Sequence, residues 1–390
     1  MPEPSEELPR TADVVIAGGG VMGTSTAYHL AQRGAREVVL VEREPFLGAM
    51  STGQCAGGIR HQFSTEINIR LSIESIRMLE RFPEEPGQDI GLRFCGYLFL
   101  LTRPEDVEPF RRGVELQHRL GVETRWLEPE QIAERVPLID LDGVLAGTIH
   151  DRDGLCDPSS VVQGYAAGAR RLGVRILTET EVTGIRVEGG RVTAVETNRG
   201  TITTPALVNA CGAWAPALGE MADVRIPIDP IRRQIAVTAP IDAIPENFPF
   251  TVFFPDSLYF HREGRGILTG RSNHDETPGF RLEVDPVWEE AHLTEAVRRM
   301  PILGEAGLMS RWAGLYEVTP DAQPILGGIR DVDGLYVMAG FSGHGFMHGP
   351  AAGLLMAEEI VDGKAHTIDI EPFRFDRFAE GDLAPERNVI

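Results

Sequence analysis

The chain has 390 residues, 42% of them hydrophobic, and a formal net charge of −21. That length supports a large core and more than one domain, while the acidic balance disfavours nucleic acid and anionic membrane surfaces as partners. No apolar run reaches the roughly 18 residues a transmembrane helix requires, and the opening MPEPSEELPRTAD is acidic and proline-rich rather than signal-like, so a cytoplasmic protein is expected.

Cys55, Cys95, Cys156 and Cys211 are far apart and form no C-x-x-C, so neither a zinc site nor a redox pair is indicated and no metal is expected. Lys364 is the only lysine. It lies in a polar turn near the C-terminus, which nearly excludes lysine Schiff-base chemistry.

In chain order, residues 1–12 read as a loose lead-in. Residues 13–42 read as strand, glycine turn, helix and strand, with Gly18, Gly20 and Gly23 in G-x-G-x-x-G spacing directly after Val14, Val15 and Ile16. The first glycine permits the tight turn, the second leaves room for a pyrophosphate, and the third lets the helix pack close to the strand. The helix start, with Val21 and Met22, offers free N–H groups and the positive dipole end to phosphates. Glu42, beside Arg43 at the end of the second strand, is placed to accept from both ribose hydroxyls and argues against a 2′-phosphate there. The stretch reads as a dinucleotide site.

Residues 45–60, PFLGAMSTGQCAGGIR, are too rich in glycine for a helix and too long for an idle turn. In a dinucleotide fold such a segment passes over the cofactor, which makes Ser51, Thr52, Gly58, Ile59 and Arg60 candidate contacts. Residues 66–82 show helical spacing. A strand at 94–102, a helix at 107–120, a short strand at 121–127 and a short helix at 128–136 begin a second domain. A helix opened by Asp157-Pro158 and strands at 174–177, 181–187, 191–197, 201–204 and 207–210 return to the first. Residues 224–318 revisit the second domain, with strands at 232–238, 258–261, 266–269 and 311–318 and a helix at 287–300. The last block holds a strand at 334–340, the stretch FSGHGFMHGP, and a helix expected to begin near Pro350, a favoured first-turn residue.

The segments GGGVMGTSTAYHLAQRG, VVLVE, STGQCAGGIRHQFS, DGLCDPSSVVQGYAAGARRLGVRI, NACGAWAP, LYEVTPDAQPILG and AGFSGHGFMHGPAAG together resemble the FAD-dependent oxidoreductases of the D-amino acid oxidase superfamily, most closely sarcosine oxidase and its relatives. The resemblance runs from residue 14 to residue 353. It implies an α/β fold in which a Rossmann-like FAD-binding domain (1–91, 150–223 and 319–390) is interleaved with an α+β substrate domain built on a mixed or antiparallel sheet (92–149 and 224–318).

The resemblance also implies a chemistry. The cofactor carries the reaction, taking a hydride from the carbon beside nitrogen to leave an imine, while the protein orients substrate and stabilises charge. A helix N-terminus near the N1–C2 edge suits anionic reduced flavin, which makes Gly343, His344, Gly345, Phe346 and Met347 candidate contacts. His61, Val182, Cys211, Gly212 and Trp214 complete the cofactor set. Arg60 matches the arginine that binds the substrate carboxylate, and Tyr259 lies on a strand that faces the substrate.

Met347 stands where those oxidases carry a second, lysine cation, and Leu268 where they carry the lysine that speeds reaction with oxygen. Gly314 precedes Leu315-Tyr316 in place of a flavin-linking cysteine, so non-covalent FAD is expected. Three readings stay open. One is an oxidase of a small amino acid or N-methyl amine that yields hydrogen peroxide. Another is a dehydrogenase, monomer or subunit, that oxidises proline, an opine or a similar N-substituted amino acid and passes electrons to another acceptor. The third is a flavin-binding protein without activity.

Overall fold

The computed structural model describes residues 7–390. Two large sheets organise it. The first runs Ile325–Gly328, Leu335–Ala339, Leu207–Asn209, Val14–Ala17, Val38–Val41, Arg175–Leu177. It is parallel apart from its antiparallel edge pair. Its two leading strands, VVIA and VVLV, are buried throughout, as a parallel sheet covered on both faces requires. Ile16 and Leu40 pack under helices Val21–Gln32, Glu66–Glu80, Pro158–Arg171 and Gly345–Asp362. On the other face Val15 and Val39 meet Val195 and Ile202 of a three-stranded antiparallel sheet, Val182–Glu188, Arg191–Thr197 and Gly200–Thr203.

The second sheet has eight strands in the order Leu308–Val318, Asp229–Thr238, Gly266–Gly270, Leu258–Glu263, Phe250–Phe254, Tyr97–Leu101, Ala146–His150, Arg125–Leu127. Only the pairing of Phe250–Phe254 with Tyr97–Leu101 is parallel. Leu98, Phe253 and Phe260 point to one face, under Ile132, Ala296 and Met300. Tyr97, Phe99, Ile235, Phe250, Tyr259 and Leu268 form the apolar cluster of the other. The mixed α/β architecture agrees with the sequence expectation.

Several local expectations need correction. Residues 1–6 lie outside the described residues. The rest of the lead-in is held, not loose: Ala12 N donates to Thr203 O at 2.9 Å and Thr11 bridges to Thr203. The strands Ala146–His150, Phe250–Phe254 and Ile325–Gly328 and the helix Ala215–Glu220 were not foreseen.

The last long helix begins at Gly345, with Pro350 inside it rather than in its first turn. Its glycines mark close approach, not a turn. A Cβ on Gly349 would come within 2.6 Å of Val21, and one on Gly353 would overlap Ser25. Ser25 Oγ also donates to the Pro350 carbonyl, at 3.3 Å, which ties the helix to Val21–Gln32.

Candidate cofactor and substrate site

Strand Val14–Ala17 delivers Gly18 at φ +108°, where a side chain is strained and a Cβ would overlap the Ala210 carbonyl. Gly23 faces the Gly18 carbonyl so closely that no side chain fits. Gly20 is the N-cap of Val21–Gln32 and supplies no side-chain cap, while Thr52 Oγ1 accepts from Val21 N at 3.2 Å. Glu42 Oε2 accepts from Gly19 N at 2.6 Å and Oε1 from Glu44 N at 2.9 Å. The carboxylate therefore braces the glycine loop at the end of its strand.

These groups open on a cavity of about 280 Å³. Gly18, Gly20, Val21, Met22, Glu42, Arg43, Ser51, Thr52, Val182, Cys211, Gly212 and Trp214 line it, and Gly343, Gly345 and Phe346 close it on the side of the Gly345–Asp362 helix start. The Arg43 guanidinium lies 4.2 Å from the Trp214 ring centre, a cation–π contact on the cavity wall. Gly23 serves the site from behind, by packing. A glycine loop, a helix start whose N-cap residue has no side chain and a strand-end acid fit a dinucleotide. A second helix N-terminus, that of Gly345–Asp362, also opens on this cavity.

A second cavity, of about 80 Å³, adjoins the first. Ser51, Cys55, Leu315, Tyr316, Gly343 and Phe346 line both. Of the expected residues, Gly58, Arg60, Tyr259, His344 and Met347 lie here. Gln54, Tyr97, Arg233, Ile235 and Phe250 join them unforeseen, and Val389 and Ile390 also line the wall.

Arg60 is 2% exposed and stacks 3.8 Å from the Phe63 ring centre. Its Nη1 donates to Gln62 O at 2.6 Å and its Nη2 to Asn388 O. The tail that supplies Asn388 is pinned by Glu386, whose carboxylate accepts from Ser64 N (2.8 Å), Thr65 Oγ1 (2.7 Å) and Asn68 Nδ2 (3.0 Å). Burial alone would raise the Glu386 carboxyl, but these hydrogen bonds outweigh it and hold the group below its ordinary value.

Burial draws His344 down to about 4 and His348 well below its ordinary value, so both rings are neutral near pH 7. Their tautomers then follow from the contacts. His344 Nε2–H donates to Ala322 O at 3.0 Å, leaving its Nδ1 to accept from His348 Nδ1–H at 3.2 Å. His348 Nε2 in turn accepts from Ser72 Oγ at 3.0 Å. Both nitrogens of His344 are thus committed within the protein, and the ring braces the cavity wall rather than standing free to move a proton. Burial also lifts the Tyr259 phenol well above its ordinary value, so it remains protonated.

Three placements differ from expectation. Ile59 is fully buried in the core, and neither it nor His61 lines either cavity. His61 Nδ1 meets Asp153 Oδ1 at 2.6 Å. Leu268 is 3% exposed inside the apolar cluster rather than on a cavity. The arginines on either side of it are engaged elsewhere, Arg265 with Asp242 and Arg271 with Asp256.

The signals for Arg233 and Gln54 were present but ambiguous. Two adjacent arginines on one strand point to opposite faces, and sequence alone does not say which faces inward. His61, His150 and Asp153 bring donor atoms within 4.8 Å of one another, although Asp153 is already engaged by His61 and by Gln62 Nε2 at 3.1 Å.

The model of the FAD dependent oxidoreductase family DAO matches residues 13–359. The chain is 32% identical to dimethylglycine dehydrogenase, mitochondrial, of Rattus norvegicus, covering 97% of this chain and 46% of that protein. It is 33% identical to sarcosine dehydrogenase, mitochondrial, of Homo sapiens, covering 95% and 42%. The chain therefore spans less than half the length of these two curated relatives. Sarcosine oxidase subunit beta of Rhodobacter capsulatus is 28% identical over 99% of this chain and 92% of its own. Among solved structures, L-proline dehydrogenase from P. horikoshii superposes with a TM-score of 0.90 at 35% identity, covering 97% of this chain and all of that one. The fold and the family match agree: the chain belongs to the FAD dependent oxidoreductases of the DAO family.

Proposed function

We propose that this chain oxidises the C–N bond of a small N-substituted amino acid, such as sarcosine or proline, and passes the electrons to an acceptor other than dioxygen. The observation that carries the reading is the pair of adjoining cavities. The first is lined by the glycine loop and the strand-end acid, and the second, which adjoins it, is lined by guanidinium groups and an apolar wall. Bound FAD supplies the two-electron acceptor for the hydride that leaves the carbon beside nitrogen. The strands and helices of the parallel sheet form the FAD-binding part, and the eight-stranded sheet roofs the substrate.

Arg60 adds positive charge to the floor of the second cavity, while Tyr259 and Met347 shape it. His344, through Ala322 and His348, keeps the start of the Gly345–Asp362 helix in place. The start of Gly345–Asp362 directs its dipole toward negative charge that accumulates at the junction of the cavities. The choice of acceptor is supported by the single, remote lysine and by the names of the dehydrogenase relatives. The oxidase reading rests on the match to sarcosine oxidase subunit beta, whose name also favours a larger complex. Purified FAD-loaded protein given sarcosine or proline should reduce a dye rapidly and yield little peroxide. Peroxide in proportion to substrate consumed would favour the oxidase.

A further inference from the structure

We infer that Arg233 is the cation that holds the substrate carboxylate and that the Gln54 amide oxygen accepts the amine N–H, so that the site takes an amino acid with a single carboxylate and an apolar substituent at nitrogen. This deepens the function proposed above and rests on it.

Arg232 and Arg233 are neighbours on Asp229–Thr238 and point to opposite faces. Arg232 is matched by Glu276 at 3.1 Å and Asp285 at 3.2 Å, and Arg281 also meets Glu276, at 2.8 Å. Two guanidinium groups and two carboxylates balance on that face. Arg233, on the other face, lines the second cavity and has no ion-pair partner among the described residues. Its Nη1 donates to Arg232 O at 3.0 Å, and its buried Nε has no acceptor. The guanidinium lies 5.0 Å from the Tyr316 ring centre. A largely buried cation with unused donors beside a cavity is costly unless an anion joins it.

Arg60 is in a different position. Its Nε is likewise buried without an acceptor, but both its terminal nitrogens donate to backbone carbonyls, and the carboxyl groups of Glu386 and Asp153 lie within electrostatic reach, where Arg233 has only Glu276. On the same cavity Gln54 Oε1 is buried without a donor. An orphaned acceptor and an orphaned cation in one small space match the two ends of an amino acid. The remaining wall, Ile235, Phe250 and Met347, is apolar, and each terminal nitrogen of Arg60, the other cation on this cavity, already donates to a backbone carbonyl, so a second carboxylate would find fewer free donors than the first. The positive charge missing at Met347 is in this way supplied from the opposite wall.

The test uses FAD-loaded protein, its Arg233→Met and Arg233→Lys variants, and (methylthio)acetate, a thioether whose sulfur replaces the reacting nitrogen, with binding read from the flavin absorbance. Arg233→Met should weaken (methylthio)acetate about 100-fold and raise KM for sarcosine or proline by a similar factor with little change in kcat. Arg233→Lys should recover part of the loss, because it restores charge without the two-pronged geometry. Thiodiacetate should bind the parent no more tightly than (methylthio)acetate.

Unchanged binding in Arg233→Met overturns the proposal, and so does the entire loss appearing in Arg60→Met instead. If Arg233→Met does not retain FAD, Arg233→Lys decides: parental binding and parental KM overturn the proposal. Tighter binding of thiodiacetate overturns the single-carboxylate clause. A parent that binds (methylthio)acetate through Arg233 yet is reduced by no amino acid removes the proposed function and leaves the anchor standing.

Discussion

Glu317 offers a test of the site's electrostatics that does not depend on turnover. It lies on Leu308–Val318, lines the cofactor cavity, and accepts from Gly340 N at 3.0 Å through Oε2. Burial lifts its carboxyl from 4.5 to about 7, against the opposing pull of the Gly340 and Phe341 N–H groups. The folded state therefore keeps a proton that the unfolded chain gives up. The carboxyl costs nothing below pH 4.5, removes stability as pH rises from 4.5 to 7, and costs about 3 kcal/mol above that. With an unfolding entropy of about 2.1 cal/mol/K per residue, a chain this long loses about 4 °C of Tm for that cost.

Melting curves of the parent and of Glu317→Gln at pH 4.5 and pH 8, at one scan rate, isolate the effect from every other titrating group. The parent should lose about 4 °C more than the variant over that range. Parallel losses would show that Glu317 is ionised when folded and would refute the reasoning.

Gly23→Val should abolish FAD retention, because any side chain there overlaps the Gly18 carbonyl; flavin-to-protein absorbance ratios after gel filtration check this. Because burial draws His344 down to about 4 and His348 well below its ordinary value, the rate of flavin reduction by a saturating amino acid should show no step from either ring between about pH 6 and pH 9. A step that vanishes in His344→Gln would contradict the neutral state assigned to that ring. Leu268→Lys should lower thermal stability by burying a charge in an apolar cluster and should leave peroxide formation unchanged. A rise in peroxide would show that position 268 reaches the flavin.

The cofactor half of the molecule was legible because its determinants are local. The spacing of Gly18, Gly20 and Gly23, the apolar strand before them and Glu42 after them all follow from contacts within one βαβ unit. The substrate half was less so. Phe250–Phe254 pairs with Tyr97–Leu101, some 150 residues away in sequence, and nothing within either strand specifies that pairing. Gly345 and Gly349 read as turn residues because a turn and a close helix crossing both demand a missing side chain; only the position of Val21–Gln32 distinguishes the two. Arg60 was recognised by its motif, but that Gln62 O and Asn388 O would take two of its donors depends on a tail remote in sequence. The charge balance that singles out Arg233 needs Glu276, Arg281 and Asp285 in place around Arg232, and no local pattern announces it.

The central claim is that a small N-substituted amino acid reaches the flavin end and is oxidised there. Anaerobic mixing of the FAD-loaded protein with a panel of N-methyl and cyclic amino acids tests it most directly. The account predicts bleaching of the flavin absorbance by at least one member with a single carboxylate, followed by faster recovery with an artificial dye than with dioxygen. A flavin that stays oxidised against the whole panel would contradict it.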